Sequence, residues 1–135
     1  MRQASYAPGP LRGHKHLGLA VLLAAAASGA HAEIIEIRWS AEGRFEQVGP
    51  IAAGQFVELC GKLPAGLAVR WDFKADTPVD FNVHYHVGKD VVFPFKLRAI
   101  TTGANTLHTK VEQDYCWMWT NKSAAAAMLS ARLQR

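Results

Sequence analysis

Val79-Asp-Phe-Asn-Val-His-Tyr-His-Val87 decides how this chain is read. Val79, Phe81, Val83, Tyr85 and Val87 alternate with Asp80, Asn82, His84 and His86, so a period of two sorts them onto opposite faces of a strand. A helix of 3.6 residues per turn would mix the two sets. Leu67-Ala-Val-Arg-Trp-Asp-Phe73 alternates in the same way upstream. Asp114 to Asn121 reads as the segment best suited to pair with these two.

Short strands continue in both directions. Glu33 to Trp39 sets Ile35, Ile37 and Trp39 on one face, Phe45 to Val48 is closed by Gly49-Pro50, and Gln55 to Cys60 ends at Gly61 and the Pro64-Ala-Gly66 turn. Downstream, Gly88-Lys-Asp90 turns the chain into Val91 to Phe93. Pro94 suits an edge because it cannot donate to a ladder. Phe95 to Ile100, Thr106 to Glu112 and Tyr115 to Thr120 follow. Ser123 to Arg135 is Ala-rich enough for a helix by propensity. Ala125, Ala127, Leu129, Ala131 and Leu133 equally fit the inner face of a strand, and the strand is the preferred reading. The expected fold is an all-β, antiparallel, jelly-roll-like β-sandwich of about eight or nine strands.

The first 32 residues have a different character. Arg2, Arg12 and Lys15 precede Leu17-Gly-Leu-Ala-Val-Leu-Leu-Ala-Ala-Ala-Ala27, and Ala30-His-Ala32 supplies small residues for cleavage. This is the pattern of a secretory signal peptide cut after Ala32. The apolar run is far short of the ~20 residues of a spanning helix, so no transmembrane helix is expected in the mature chain. Residues 33 to 135 suit one domain with one core. They hold twelve basic and eleven acidic side chains, and this interspersed, near-neutral balance offers no field for nucleic acid. A periplasmic or secreted location is expected.

Cys60 and Cys116 are the only cysteines. In an exported chain such a pair is expected to form a disulfide. His84 and His86 lie two apart on one strand, so their imidazoles project to the same side and can share a metal. Copper suits His, Met and Cys donors, with His108 or Met118 as completing ligands. The competing reading leaves both histidines on a solvated face already polar with Asp80 and Asn82. No cofactor other than copper is indicated.

Among the aromatic residues, strand parity sends most of Trp71, Phe73, Phe81, Tyr85 and Tyr115 inward, where a small sandwich needs bulk. Trp117 and Trp119 are the candidates for a binding rim. Enzyme signatures are missing: the sequence has no phosphate loop, no Gly-x-Ser-x-Gly elbow and no His-Glu-x-x-His. Asn121-Lys-Ser123 is a glycosylation sequon if the host is eukaryotic and a turn otherwise.

Tyr115, Trp119 and Asn121, followed by an alternating final strand, resemble the closing hairpin of GOLD (Golgi dynamics) domains. The upstream pair Val69-Arg-Trp-Asp-Phe73 and Val79-Asp-Phe-Asn-Val83 is similar to the paired strands of that family. The resemblance covers residues 55 to 133 and implies a β-sandwich used for binding, without enzyme chemistry. Asp114 stands where that family usually has Gly before the Tyr. Met118 stands where the cargo receptors of the family have Cys, and Cys116 lies two residues earlier. The fold carries over and the partner does not. The expected function is an exported, non-enzymatic module that binds a protein or a cell-envelope component, with a periplasmic copper-binding protein as the alternative.

Overall fold

A computed structural model describes Gly9 and residues 32 to 135. The expected signal peptide, residues 1 to 32, otherwise lies outside the described residues. The described chain is all-β. Its strands are β1 (Glu33–Glu36), β2 (Arg44–Ile51), β3 (Phe56–Leu63), β4 (Ala68–Val87), β5 (Asp90–His108), β6 (Gln113–Thr120) and β7 (Ala127–Gln134). They form one sheet in the order β1-β3-β6-β4-β7-β2, with β5 on the other side of β4. Every pairing is antiparallel except that of β1 with β3.

The sheet becomes a sandwich because β4 bends. Its first half pairs with β7 from Arg70 to Ala75, and its second half pairs with β6 from Asp80 to His84. Trp71 and Phe81 stand ten residues apart on this strand, a separation of ~33 Å if it ran straight. Their rings are 4.7 Å apart, and Phe73 and Phe81 are 4.9 Å apart. The inner face of β4 is therefore folded onto itself. Phe73 also meets Trp119 of β6 edge to face at 5.5 Å, so the two halves of the sheet share one aromatic core.

Three local features turn the corner. Between Lys74 and Val79, β4 spends five residues while β5 spends two, from Thr102 to Ile100. That surplus backbone contains Thr77-Pro78, and Asp76 accepts a 2.7 Å hydrogen bond from the Met128 N–H of β7. On β5 a bulge places Ala99 at φ 50°, and its N–H donates to Asp80 at 3.0 Å. Asp80 also pairs with Lys122. Opposite the bend, Gly103 leaves room for Phe73: a Cβ there would lie 2.6 Å from the ring.

The seven strands correct the expected eight or nine in a consistent way. The segments 67 to 73 and 79 to 87 are one strand, and the three short segments from Val91 to Glu112 are one strand ending at His108. Gly49-Pro50 lies inside β2 instead of closing it. Pro50 and Pro94 stand on the edge strands β2 and β5, as expected for Pro94, because a missing N–H on the outward side costs no ladder bond. The C-terminal segment forms β7, with Ala127, Leu129, Ala131 and Leu133 buried as its alternation requires.

Two predictions follow from the corner. Gly103→Ala should destabilise by about 1–3 kcal/mol, because the buried Phe73 ring has no free space to move into; urea denaturation reads this directly. The Lys122 ammonium holds the Asp80 carboxyl below its ordinary 3.8, helped by the Ala99 N–H and opposed by burial. A carboxylate lowered in the folded state contributes stability above its unfolded pKa and loses it as pH falls through the folded one. Asp80→Asn should therefore be less stable than the unchanged chain at neutral pH, with the gap closing below pH 3.8 in urea midpoints taken across an acid series.

Candidate functional site

The outer face of the second half-sheet carries two residue rows that run straight across three strands. Glu58 of β3, Met118 of β6 and Asn82 of β4 are in register, and so are Cys60, Cys116 and His84. Cys60 and Cys116 form the expected disulfide across β3 and β6, with Cα atoms 4.2 Å apart. A link between residues 56 apart in sequence contributes about 4 kcal/mol by restricting the unfolded chain.

His84 and Glu58 belong to strands on either side of β6, and they meet over it. The His84 Nε2–H donates to Glu58 Oε1 at 2.9 Å, and Nδ1 lies 2.7 Å from Asn82 Oδ1. Although they sit on an outward face, His84 is 6% exposed and Glu58 is 9% exposed. His86 covers His84 edge to face at 5.3 Å, and the Phe93 ring leans on it at 5.8 Å. Lys96 places its ammonium 4.5 Å from the centre of Phe93, a cation–π contact. A buried polar pair thus sits beneath an aromatic side chain that faces solvent.

That aromatic belongs to the outer part of the β4–β5 hairpin, beside His84. Val87, Val91, Val92 and Phe93 are exposed there, around the Gly88-Lys89 turn, and Leu97 is exposed farther along β5, opposite Phe81. Four large apolar side chains within seven residues around one turn form an apolar end of the kind that marks a contact surface.

The expected metal site is only partly assembled. His84 and His86 are adjacent, but both ring nitrogens of His84 already have partners. Glu58, His84 and Cys116 bring donor atoms within 4.8 Å of one another, yet the Cys116 sulfur is committed to the disulfide. Met118 lies one row away, beside Glu58 and Asn82. His108 is opposite Ala68, at the far end of the β4–β5 ladder, and does not join the group.

The expected binding rim is corrected. Trp117 and Trp119 are 0% and 1% exposed, because they share the inward parity of Tyr115 on β6. Asn121 is likewise fully buried and is no glycan acceptor. Its Nδ2 donates to the carbonyls of Ile51, Ala52 and Ala125, and its Oδ1 accepts from the Ser123 N–H and hydroxyl. Tyr115 donates its hydroxyl to the Val111 carbonyl at 2.9 Å, as in the tyrosine corner of other sandwiches. Tyr115 and Asn121 tie loops to the sheet, and Trp117 and Trp119 fill the core.

Glu58 is the residue that sequence reasoning missed. Its parity with Cys60 was visible, but its meeting with His84 depends on the order β3-β6-β4, which periodicity does not reveal. An open groove of about 660 Å³ runs across β2, β7, β4 and β5. There Arg132 is paired with Asp72, and Gln134 donates to backbone carbonyls.

No protein-family model matches the chain, and no curated protein matches it. Solved structures do resemble it. A periplasmic lysozyme inhibitor of g-type lysozyme, PliG of Aeromonas hydrophila, superposes with TM-score 0.53 at 13% identity, covering 76% of this chain and 96% of that one. PliG of Salmonella Typhimurium gives 0.52 at 12% identity, with 77% and 98% covered. The pre-peptidase C-terminal domain of a Bacillus anthracis collagenase gives 0.50 at 6% identity, with 77% and 95% covered. At such identities the likeness is one of fold.

The buried pair should behave as a unit. Glu58→Ala strands the His84 N–H and should cost about 1–3 kcal/mol. Adding His84→Leu to Glu58→Ala should recover most of that loss, since an apolar replacement leaves no buried polar group unpaired. A double-mutant cycle by chemical denaturation checks this.

Proposed function

We propose that this chain is an exported, non-catalytic module that binds a protein through the apolar end of its β4–β5 hairpin. The carrying observation is the exposed group Val87, Val91, Val92 and Phe93 around the hairpin turn, continued along β5 by the exposed Leu97. Such side chains lose water on contact with a partner, and an aromatic at the centre of a patch is the usual energetic anchor. Among the described residues the buried ionisable pair is Glu58 with His84, and it lies beneath Phe93, which supports a positioning role.

The fold neighbours give the partner class to test first. Two of them are described as periplasmic inhibitors of g-type lysozyme, which makes a cell-wall lytic enzyme the leading candidate. The leader-like N-terminus and the disulfide agree with a periplasmic or secreted setting. The GOLD-like pattern at Tyr115, Trp119 and Asn121 points to the same broad class, a sandwich that binds instead of catalysing. Nothing in the geometry favours the copper alternative over this reading.

The test uses residues 33 to 135, oxidised, with a g-type lysozyme. The expected result is stoichiometric loss of lytic activity, with Phe93→Ser plus Leu97→Ser weakening binding at least about tenfold while the fold is kept. Absence of capture and inhibition would contradict the lysozyme reading. Equal affinity of the double variant would contradict the hairpin end as the site.

A further inference from the structure

β5 pairs along its whole length with β4 alone, while the other side of β4 is occupied first by β7 and then by β6. Among the described residues, the far side of this 19-residue strand has no ladder partner. The other edges are shorter: β2 has 8 residues and β1 has 4. An open edge presents alternate backbone N–H and C=O groups that can accept another strand. The apolar end of the hairpin is the start of this same edge.

The charges along it are uneven. Lys89, Lys96 and Arg98 lie on the segment from the turn to the bulge and make no close ion pair, Arg98 being near enough to Asp80 only to favour its charged form, and Asp90 is the only acid in that segment. The acids of the neighbouring β4 are already engaged: Asp72 with Arg132, Asp76 with the Met128 N–H, and Asp80 with Lys122. An antiparallel pairing of two copies centred on Leu97 would set Lys96 against Arg98 twice, whereas one centred on Phe93 would set Lys96 against Asp90 twice, so register alone does not decide the occupant. The excess of three cations over one acid favours a segment of opposite sign.

We infer that the open edge of β5, from Val91 to Arg98, binds an extended, acidic segment of the partner protein by strand addition. Backbone ladder bonds supply affinity. Val91, Val92, Phe93 and Leu97 contact the apolar side chains of the added strand, and Lys96 and Arg98 meet its carboxylates. Pro94 interrupts donation at one position and limits the added strand to a short stretch. This inference rests on the protein-binding reading and specifies how the partner is held.

The test replaces the unidentified partner with defined probes. An eight-residue peptide repeating Glu-Val-Glu-Thr, and its counterpart repeating Lys-Val-Lys-Thr, are titrated against oxidised residues 33 to 135. The acidic peptide should bind and slow hydrogen exchange at β5 amides, and the basic peptide should bind at least about tenfold more weakly. Lys96→Glu with Arg98→Glu, two exposed positions, should reverse that order. Binding without slowed exchange in β5, or a preference that charge reversal leaves unchanged, would overturn strand addition. Slowed exchange in β5 that grows with protein concentration and needs no peptide would instead assign the edge to a second copy. Inhibition of lysozyme without peptide binding would keep the protein-binding reading and remove this mode. Peptide binding without lysozyme inhibition would keep the mode and remove that partner.

Discussion

The contact between Trp71 and Phe81 is the constraint on which the rest of the molecule depends. A strand of 20 residues has one apolar face about as long as the whole domain, and a flat sheet would leave that face in water. Bending β4 at Asp76 to Val79 folds the face onto itself, so Trp71 and Phe73 of one half pack on Phe81 and Trp119 of the other. β6 and β7 can then occupy the same side of β4 in succession, each pairing with one half. The bend has to be held, and acidic residues hold it: Asp76 fixes the β7 backbone, and Asp80 fixes the bulge at Ala99 and the β6–β7 connection through Lys122.

The same bend explains why a surface remains for binding. β5 follows β4 around the corner and, among the described residues, has no strand beyond it. Apolar residues around the turn that joins them stay exposed. Beneath them the outer face is made firm by a disulfide and by the Glu58–His84 pair arching over β6. Breaking such a pair is costly, whereas replacing both members is not, so its value lies in holding Phe93 and His86 in one arrangement. A rigid, apolar, positively charged edge is suited to docking, and rigidity lowers the entropy lost on binding.

The all-β class was legible because residues 79 to 87 and 127 to 134 alternate without a break, and because the chain around them is punctuated by turns. The disulfide was legible from two cysteines and the leader-like pattern of the first 32 residues. The strand count was not, since Pro50, Thr77-Pro78, Pro94 and Gly103 carry the local marks of termination. Whether such a residue ends a strand, bends it or sits on an edge is decided by neighbours that are distant in sequence. Trp117 and Trp119 show the reverse case: their parity already placed them inward, and solvent contact would have required an unfilled core. The Glu58–His84 pair was hidden for a geometric reason, because two residues from non-adjacent strands meet only when the order of the sheet is known. The hairpin end was only partly legible: Pro94 pointed to an edge, but that Val91 to Phe93 stay exposed depends on which strands flank β5.

The most direct measurement is the hydrogen-exchange footprint of a bound g-type lysozyme on oxidised residues 33 to 135. The account predicts slowed exchange confined to residues 87 to 98, with the amides of β2 and β7 unchanged. Protection centred on the groove at Arg44, Arg70 and Arg132, with the hairpin end exchanging as in the free protein, would contradict it.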